Sequence, residues 1–244
     1  MDDDGGIQFY QQSQQWEEFL EENEMGFIAS DNGSSNFKRV PSGAFIGRCY
    51  SLVDLGTQKT DGQYGLKFQH KIQIGWELFG EDDDGHPLTV EWEGQVMPMT
   101  IKKSYTVSLH EKAALRKDLA SWRGKDFTEE EAKAFDISKL LGAYCMVNVT
   151  TSENNGKTYS NVSGLTRLPT AFKDSKPAPV HSNLVFDLDS PDMTIFSNFH
   201  EKLQEAIKKS PEWQEKQGKT HPAEQGPSSG FDDMPDYVSD YVPF

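Results

Sequence analysis

The chain has 244 residues, of which 35% are hydrophobic, and its net charge at pH 7 is −15. This length is enough for one domain with flanking segments, and no apolar run approaches the ~20 residues of a membrane-spanning helix. Cys49 and Cys145 are the only cysteines, so neither a zinc knuckle nor a disulfide framework is expected. We expect a cytoplasmic protein with no cofactor and no metal.

The acidic charge is concentrated in the two ends of the chain. Residues 1–37 hold nine acidic side chains and no basic one, and residues 182–244 hold 12 acidic and five basic side chains. Between them, residues 38–181 hold 19 basic and 18 acidic side chains. A strongly acidic protein repels nucleic-acid phosphates, but a balanced middle section can present a basic groove. The net charge therefore does not exclude a nucleic-acid partner.

Strands dominate the first elements predicted along the chain. Residues 1–42 are acidic and polar and are expected to form an N-terminal arm. A strand is predicted at 43–55, and a loop with three glycines is predicted at 55–65. Apolar and polar residues alternate over 66–79, which predicts a long strand with Phe68 and Trp76 in the core. Shorter strands are predicted at 88–92 and within 97–109.

Helix signals follow, and then a hairpin. Ser108 is the predicted N-cap of a helix at 109–123 that ends at Gly124, and Thr128 with Glu131 has the spacing of a capping box. Residues 143–151 and 157–168 are predicted to pair around a turn at 153–156. Three strands, a helix and two strands is the order of the OB-fold. We therefore expect a mainly β (α+β) domain at 43–169, an OB-fold-like five-stranded antiparallel barrel with a helix between its third and fourth strands.

Two further segments are predicted beyond this domain, and the second of them has no regular structure. Residues 170–213 read as a linker followed by a C-terminal helix that starts near Pro191. Residues 214–244 are rich in Gln, Glu, Pro, Gly and Ser, and they are predicted to form a disordered acidic tail.

The last 13 residues alternate acids with large apolar side chains. Acids steer such a segment toward basic partners, and its apolar side chains can fill pockets. The alternative is a tail that only increases solubility. We expect a partner-docking tip, whose residues are Asp232, Asp233, Asp236, Asp240, Pro243 and Phe244.

Two sets of residues carry a resemblance to known proteins. Val242-Pro243-Phe244 resembles the tip of bacterial single-stranded DNA-binding proteins, although Tyr237, Val238 and Tyr241 interrupt the acidic run. The body resembles phage-encoded single-stranded DNA-binding proteins. The similar stretches are Gly43-Ala44-Phe45-Ile46-Gly47-Arg48-Cys49-Tyr50-Ser51-Leu52-Val53-Asp54-Leu55-Gly56-Thr57-Gln58, Ile74-Gly75-Trp76-Glu77-Leu78, Trp122-Arg123-Gly124-Lys125 and Leu140-Leu141-Gly142. The resemblance implies sequence-independent binding of single-stranded DNA during phage replication or recombination in the host cytoplasm, with a tip that recruits partner proteins. It assigns no binding residue.

Binding of single strands requires cations for the phosphates and aromatic rings for the bases. Both types recur on the predicted strands of the barrel, except that the strand at 143–151 carries Tyr144 but no cation. Trp122 with Arg123, at the end of the predicted helix, either stacks a base or caps the barrel. The full set of expected DNA-binding residues is Arg48, Tyr50, Lys59, Tyr64, Lys67, Lys71, Lys102, Lys103, Tyr105, Trp122, Arg123, Lys157, Tyr159 and Arg167.

Two other functions compete with this interpretation. Asp82, Asp83 and Asp84 beside His86 could suggest a metal-dependent nuclease, but adjacent acids in one turn point in different directions. No HExxH, GxSxG, P-loop or GxGxxG pattern is present, so we do not expect an enzyme. The stronger alternative is an adaptor or recombination mediator that binds proteins without binding DNA. Self-association into a homo-oligomer is compatible with either function.

Overall fold

The structure, a computed structural model, describes residues 38–62, 65–92, 94–172 and 174–218. It is mainly β, as expected. The strands in these ranges are β1 (Gly43–Gly62), β2 (Gly65–Phe79), β3 (Thr89–Trp92), β4 (Gln95–Pro98), β5 (Thr100–Thr106), β6 (Tyr144–Asn154), β7 (Lys157–Arg167) and β8 (Leu184–Phe186).

Six of the strands form one sheet. Five follow the path β5-β2-β1-β6-β7 with antiparallel pairing, while β8 pairs in parallel with Ser51–Val53 of β1. Strands β3 and β4 form a separate hairpin. The described sheet is not closed, because no ladder joins β5 to β7, although Cα atoms of these two end strands approach within 8 Å of one another. The expectation of an antiparallel sheet is confirmed at this level.

The helices are short. They are α1 (Ala114–Arg123), α2 (Glu129–Lys133), α3 (Met193–Ser197), α4 (Glu201–Lys208) and α5 (Pro211–Lys216), with 3-10 turns at Ile137–Leu140 and Thr170–Phe172. Helix α1 packs against β5 and β7, between the two ends of the sheet. In the described part of the chain, no helix has the length and apolar character needed to cross a membrane.

Two apolar clusters lie on opposite faces of β1, because successive side chains of a strand point to opposite sides. Leu52 packs with Cys49, Ile74 and Trp76 in the larger cluster, which α1 covers with Leu115, Leu119 and Trp122. Val53 packs in the smaller cluster, together with Leu55, Phe186, Leu188, Phe196, Leu203, Ile207 and Trp213. The C-terminal helices therefore cover the outer face of β1.

The predicted loop at 55–65 is wrong. Strands β1 and β2 continue their pairing as far as Gly62 and Gly65, so the two strands form a long hairpin arm, defined here as residues 56–71. A bulge between Asp54 and Gly56 bends the ladder, and Gly56 has a φ of +66°. Glycine tolerates this left-handed conformation at no steric cost. The glycine that suggested a loop instead allows the strand to bend and continue.

The predicted start of the main helix is also wrong. Helix α1 begins at Ala114, and its N-cap, Ala113, makes no side-chain cap. Ser108 instead accepts a hydrogen bond from the backbone N–H of His110 within the preceding turn. The other predicted signals are confirmed: Gly124 ends α1 in a left-handed conformation, and Thr128 with Glu131 forms a capping box at α2.

The C-terminal region differs from the predicted linker, single helix and early tail. Three helices, α3 to α5, replace the single helix, and α5 extends to Lys216. Trp213 is buried and stacks on Phe196 with ring centroids 4.4 Å apart. Burial of this ring orders a segment whose composition is otherwise polar. The predicted beginning of the disordered tail at residue 214 is therefore too early.

The predicted linker is attached to the sheet through a buried ion pair. Glu77 is 0% exposed and accepts hydrogen bonds from Arg48 and from the backbone N–H of His181. Arg48 also donates to the carbonyl oxygen of His181 (3.0 Å) and to Asn183 Oδ1 (2.6 Å). A buried charge pair is tolerated when its remaining hydrogen-bonding groups are satisfied. Here the chain at 181–183 satisfies them and is held in place.

Candidate nucleic-acid interface

The exposed side chains among the expected DNA-binding residues lie mainly on two hairpins and one strand. Lys59 and Lys67 are exposed on the hairpin arm, and Lys157 is exposed at the end of the β6–β7 hairpin. Lys102 is exposed on β5, opposite Gly75 of β2. Tyr159, on β7, is half-buried. These positions span the sheet from β5 through the arm to the β6–β7 hairpin.

The hairpin arm also carries an aromatic ring that the sequence analysis assigned to the core. Phe68 is 55% exposed, and Lys59 is its direct partner on the neighbouring strand. Side chains of directly paired residues share a face, with Cβ atoms about 4.5–5.5 Å apart. Leu66, two residues from Phe68, is also 55% exposed on the same face. An ammonium group and an apolar ring therefore lie side by side on a solvent-facing strand pair.

Phe68 is exposed because the sheet narrows along β2. Strand β5 pairs with β2 only from Lys71 to Glu77, so the residues of β2 before Lys71 have β1 as their only described neighbour in the sheet. The alternation over 66–79 indicates which face of the strand each side chain lies on. It does not indicate how many neighbouring strands pair with β2 at each residue. The signal that could have identified the exposed part is the polar composition around Phe68, since Lys67, Gln69 and His70 surround it.

A second exposed aromatic residue was missed altogether. Trp92 is 68% exposed at the end of the short hairpin formed by β3 and β4. Its cross-strand partner is Gln95. A tryptophan with this exposure offers a flat apolar surface to a ligand.

Several expected binding residues are buried and serve the fold. Arg48 is held by Glu77 and by residues 181–183, as described above. Lys71 is 7% exposed. Tyr50 is half-buried beside His181, with ring centroids 4.8 Å apart. The prediction that these side chains present themselves to DNA is not supported by where they lie.

Tyr105 and Lys103 face helix α1 rather than solvent. The Tyr105 hydroxyl donates to Asp118 Oδ2 at 2.7 Å, and Lys103 Nζ lies 2.7 Å from the same oxygen. Burial, and then the charge of Asp118, hold the pKa of Tyr105 well above its ordinary value. The phenol is therefore a neutral donor that joins β5 to α1, and the expected role in stacking a base is not supported.

Trp122 belongs to the larger apolar cluster and does not present its ring to solvent, so a role in stacking a base is not supported. It is buried, and its Nε1 donates to the carbonyl oxygen of Tyr144 at 2.9 Å. Arg123 donates to Glu131 at 2.7 Å, and its guanidinium carbon lies 4.2 Å from the centre of the Phe127 ring. Arg167 is exposed at the end of β7, next to Gly124. Trp122, Arg123 and Arg167 therefore form a group on the α1 side, separate from the lysines on the hairpins.

The base of the hairpin arm is supported by the C-terminal helices. Glu212 of α5 accepts hydrogen bonds from the backbone N–H of Thr57 (2.9 Å) and from its hydroxyl. His70 Nε2 lies 2.8 Å from Asp54 Oδ1. Burial alone would raise the pKa of Glu212, but the hydrogen bonds from Thr57 lower it, so Glu212 is an ionised acceptor near neutral pH. Helix α5 thus contacts the arm at its base through Thr57.

The acidic turn that suggested a nuclease does gather three possible metal ligands. Oxygen and nitrogen atoms of Asp82, Asp84 and His86 lie within 4.8 Å of one another. Asp82 accepts hydrogen bonds from the backbone N–H groups of His86 (2.8 Å) and Asp84 (3.1 Å), which lower its pKa. All three residues belong to one turn, and no other described element contributes a ligand to this group. The arrangement is that of an acidic surface turn.

Some expected site residues lie outside the described residues. Tyr64 is one of them, and so are all the tip residues, Asp232, Asp233, Asp236, Asp240, Pro243 and Phe244.

Comparison with models of known protein families finds no family that matches this chain, and comparison with curated proteins finds no matching protein.

Proposed function

We propose that this chain binds single-stranded DNA without sequence preference and that it is not an enzyme. The observation that carries the proposal is the surface of the hairpin arm, where exposed Phe68 is paired with Lys59 and is preceded on its own strand by exposed Lys67. A ring that stacks on a base and cations that neutralise the adjoining phosphates are the two parts of a sequence-tolerant single-strand site. The bases of a duplex are paired with each other and stacked on neighbouring base pairs, so they are not free to stack on a protein ring. Such a ring therefore favours single strands.

The strand order supports assigning this surface to an OB-fold. Strands β1, β2, β5, β6 and β7 would be its five strands, with α1 between the third and the fourth. OB-folds bind oligonucleotides on the face of strands 2 and 3 and on the loops between strands 1 and 2 and between strands 4 and 5. The exposed lysines fall on the corresponding elements: Lys102 on β5, Lys59 and Lys67 on the first hairpin, and Lys157 on the second.

The proposed biological setting follows from the resemblance. We assign the chain to phage-encoded single-stranded DNA-binding proteins, acting in replication or recombination in the cytoplasm of the host. The tip at 232–244 would recruit replication or recombination proteins, because it combines acids with apolar side chains. The adaptor function, in which the chain binds proteins alone, is the alternative that the following experiment separates from DNA binding.

The test replaces Lys59, Lys67, Lys102 and Lys157 with Gln in one variant. Each phosphate contact contributes a slope of about −0.7 to the dependence of log K on log salt for single strands, so the variant should bind an oligonucleotide more weakly, with a slope reduced by about 3. Fluorescence anisotropy at several salt concentrations measures both quantities. The control is a variant with the same change of charge, in which exposed Lys117, Lys133, Lys208 and Lys209 become Gln.

The aromatic half of the proposal is tested by Phe68→Ala. Loss of one stacked base costs about 1–3 kcal/mol, and the salt slope should stay unchanged because no charge is lost. Met193, which is 53% exposed, provides a matched control as Met193→Ala. Equal affinity of the wild type, the lysine variant and Phe68→Ala would exclude DNA binding at this surface. Absence of any binding by the wild type would favour the adaptor function.

A further inference from the structure

A basic cleft lies beside helix α1, apart from the exposed lysines on the hairpins. Its volume is about 390 Å³, within the range of about 300–1,000 Å³ of pockets that hold ligands. Four of its lining residues are cations, namely Arg123, Lys139, Arg167 and Lys176. No acidic side chain is among the lining residues in the described part of the chain. The cleft therefore favours an anionic ligand.

The cleft offers aromatic rings as well as cations. Half-buried Phe135 and Tyr144 line it, and Lys176 Nζ lies 5.5 Å from the centre of the Tyr144 ring. In a single-strand site, rings stack on bases while neighbouring cations neutralise the phosphates. A single-stranded nucleic acid would use both kinds of side chain.

One donor at the cleft has no acceptor within the described residues. Arg123 Nη1 is buried without a hydrogen-bond partner there, although Nη2 of the same guanidinium donates to Glu131 at 2.7 Å. Burying an N–H group without an acceptor costs free energy. A phosphate oxygen that reached this nitrogen would satisfy it, and guanidinium groups match the geometry of phosphates.

Strand β7 connects the cleft to the hairpin that carries exposed Lys157. Lys157 is the first residue of β7, and Arg167, which lines the cleft, is the last. At about 3.3 Å per residue, the two ends of the strand are about 33 Å apart. Strand β7 contains no acidic residue, and no described strand forms a ladder with it on the side away from β6. A single strand of DNA that lay along β7 would therefore meet no carboxylate of this strand between the two cations.

We propose that the cleft is a second contact for the single strand that the hairpins bind, and that one strand runs along β7 from Lys157 to the cleft. This inference rests on the proposed function. The cations of the cleft contact phosphates, and a base lies against the ring of Phe135 or Tyr144. Such a path extends the site toward the upper part of the about 4–16 nucleotides that one OB-fold holds. An acidic peptide would account for the cations of the cleft but not for the acid-free strand that leads to them.

A variant without the three exposed cations of the cleft tests the proposal. It combines Lys139→Gln, Arg167→Gln and Lys176→Gln. Its affinity for an oligothymidylate of about 16 nucleotides, the upper end of the range for one OB-fold, should fall at least fivefold. The slope of log K against log salt should be reduced by about 2, because three phosphate contacts contribute about −0.7 each. Fluorescence anisotropy of the full-length protein with the labelled oligonucleotide measures both quantities.

The control variant combines Lys117→Gln, Lys133→Gln and Lys209→Gln, which remove the same charge at exposed positions outside the cleft and the hairpins. Its affinity should fall by less than twofold. Equal binding by the two variants would overturn the proposal and leave the hairpin site in place. Tighter binding by the cleft variant would also overturn it, and would assign the cleft to an acidic peptide that competes with DNA. Absence of binding by the wild type would reject the proposed function and this inference together.

Photocrosslinking locates the strand on the protein. The same oligonucleotide, with 5-iododeoxyuridine in place of thymidine, is irradiated with each protein, and the attached residues are identified by mass spectrometry. We expect adducts on Phe135 or Tyr144 in the wild type and the control, with a yield at least fivefold lower in the cleft variant. Adducts confined to the hairpins, or no adducts at all, would overturn the second contact. Adducts on the cleft alone would overturn the path along β7 and the hairpin site together.

Discussion

At the scale of single residues, the structure separates charges that hold the fold from charges that face solvent. Arg48 and Lys59 lie on the same strand and looked equally suitable for contacting phosphates. Arg48 is buried against Glu77, whereas Lys59 is exposed beside Phe68. The difference comes from Glu77 on the neighbouring strand, directly opposite Arg48 in the ladder. Sequence alone does not reveal such a partner, because it depends on the register between β1 and β2.

The buried pair predicts a large and non-additive loss of stability. Glu77→Leu leaves the Arg48 guanidinium buried without its carboxylate, which should lower the free energy of unfolding by about 3–5 kcal/mol. The double variant Arg48→Met/Glu77→Leu should lose less than the sum of the two single changes, because no charge remains buried. Urea unfolding measures all three variants. The pair of Arg116 with Asp126, whose carboxylate side chain is 67% exposed, is the control, and Asp126→Asn should cost less than about 1 kcal/mol. Additive losses in the Arg48 and Glu77 variants would contradict this account.

The low pKa of Glu131 predicts that the stability of the fold depends on pH in the acidic range. The hydrogen bond from Arg123, and then that from the backbone N–H of Thr128, lower the pKa of Glu131 to about 2. A carboxyl group with a pKa below its ordinary value of 4.5 stabilises the fold above that value and loses the contribution as the pH falls toward 2. Glu131→Gln should therefore lower the melting temperature at pH 7, and the difference from the wild type should shrink between pH 4.5 and pH 3. Glu130→Gln, at a neighbouring exposed position of α2, is the control. A constant difference across this pH range would show that the ionised carboxylate is not the stabilising group.

At the scale of elements, local sequence patterns predicted the structure correctly where nearby residues decide it. Alternation predicted β2, the Gly-containing turn predicted the β6–β7 hairpin, and the capping box predicted α2. The same patterns failed where a partner distant in the sequence decides the structure. The extension of β1 beyond residue 55 depends on pairing with β2, and α5 depends on the burial of Trp213 against Phe196. The exposed Phe68 belongs to the same class, because its burial depends on how far β5 extends.

Substitution of Gly56 and of Gly142 by alanine separates the cost of the left-handed backbone conformation from the cost of a steric clash. Both have positive φ, +66° and +75°, so alanine at either position should cost about 1–2 kcal/mol for the left-handed conformation. An added Cβ at Gly56 would lie 2.6 Å from Ser210 Cβ and 2.7 Å from Leu188 Cδ1, whereas at Gly142 nothing lies within 4 Å. Chemical denaturation should show that Gly56→Ala is clearly the more destabilising change. Equal losses would mean that the C-terminal helices do not pack closely on the β1 bulge.

At the scale of the whole molecule, the C-terminal helices α4 and α5 contact the strand that carries part of the proposed DNA surface. Helices α4 and α5 pack against β1, and Gln58 donates to the carbonyl oxygens of Leu55 and Ala206. The buried pair of Arg48 and Glu77 fixes the segment that leads to these helices. A binding surface on a protruding hairpin requires a rigid base, since ordering a mobile arm on binding costs conformational entropy. Residues 174–213, which were predicted as a linker and a helix, thus support the base of the arm.

This coupling predicts that a change in α5 weakens DNA binding without removing any side chain from the proposed interface. Glu212→Ala deletes both hydrogen bonds to Thr57, so the amide protons at 57–62 and 65–70 should exchange faster with deuterium. Affinity for single-stranded DNA should fall by about threefold to tenfold, corresponding to roughly 0.7–1.4 kcal/mol of lost ordering. The salt slope should stay unchanged, because no cation is removed. Glu215→Ala, in the same helix and at an exposed position, removes an equal charge and is the control for a general electrostatic gain. If Glu212→Ala accelerates exchange in the arm while its DNA affinity remains that of Glu215→Ala, the arm is not part of the DNA surface. If exchange in the arm is unchanged, α5 does not support it.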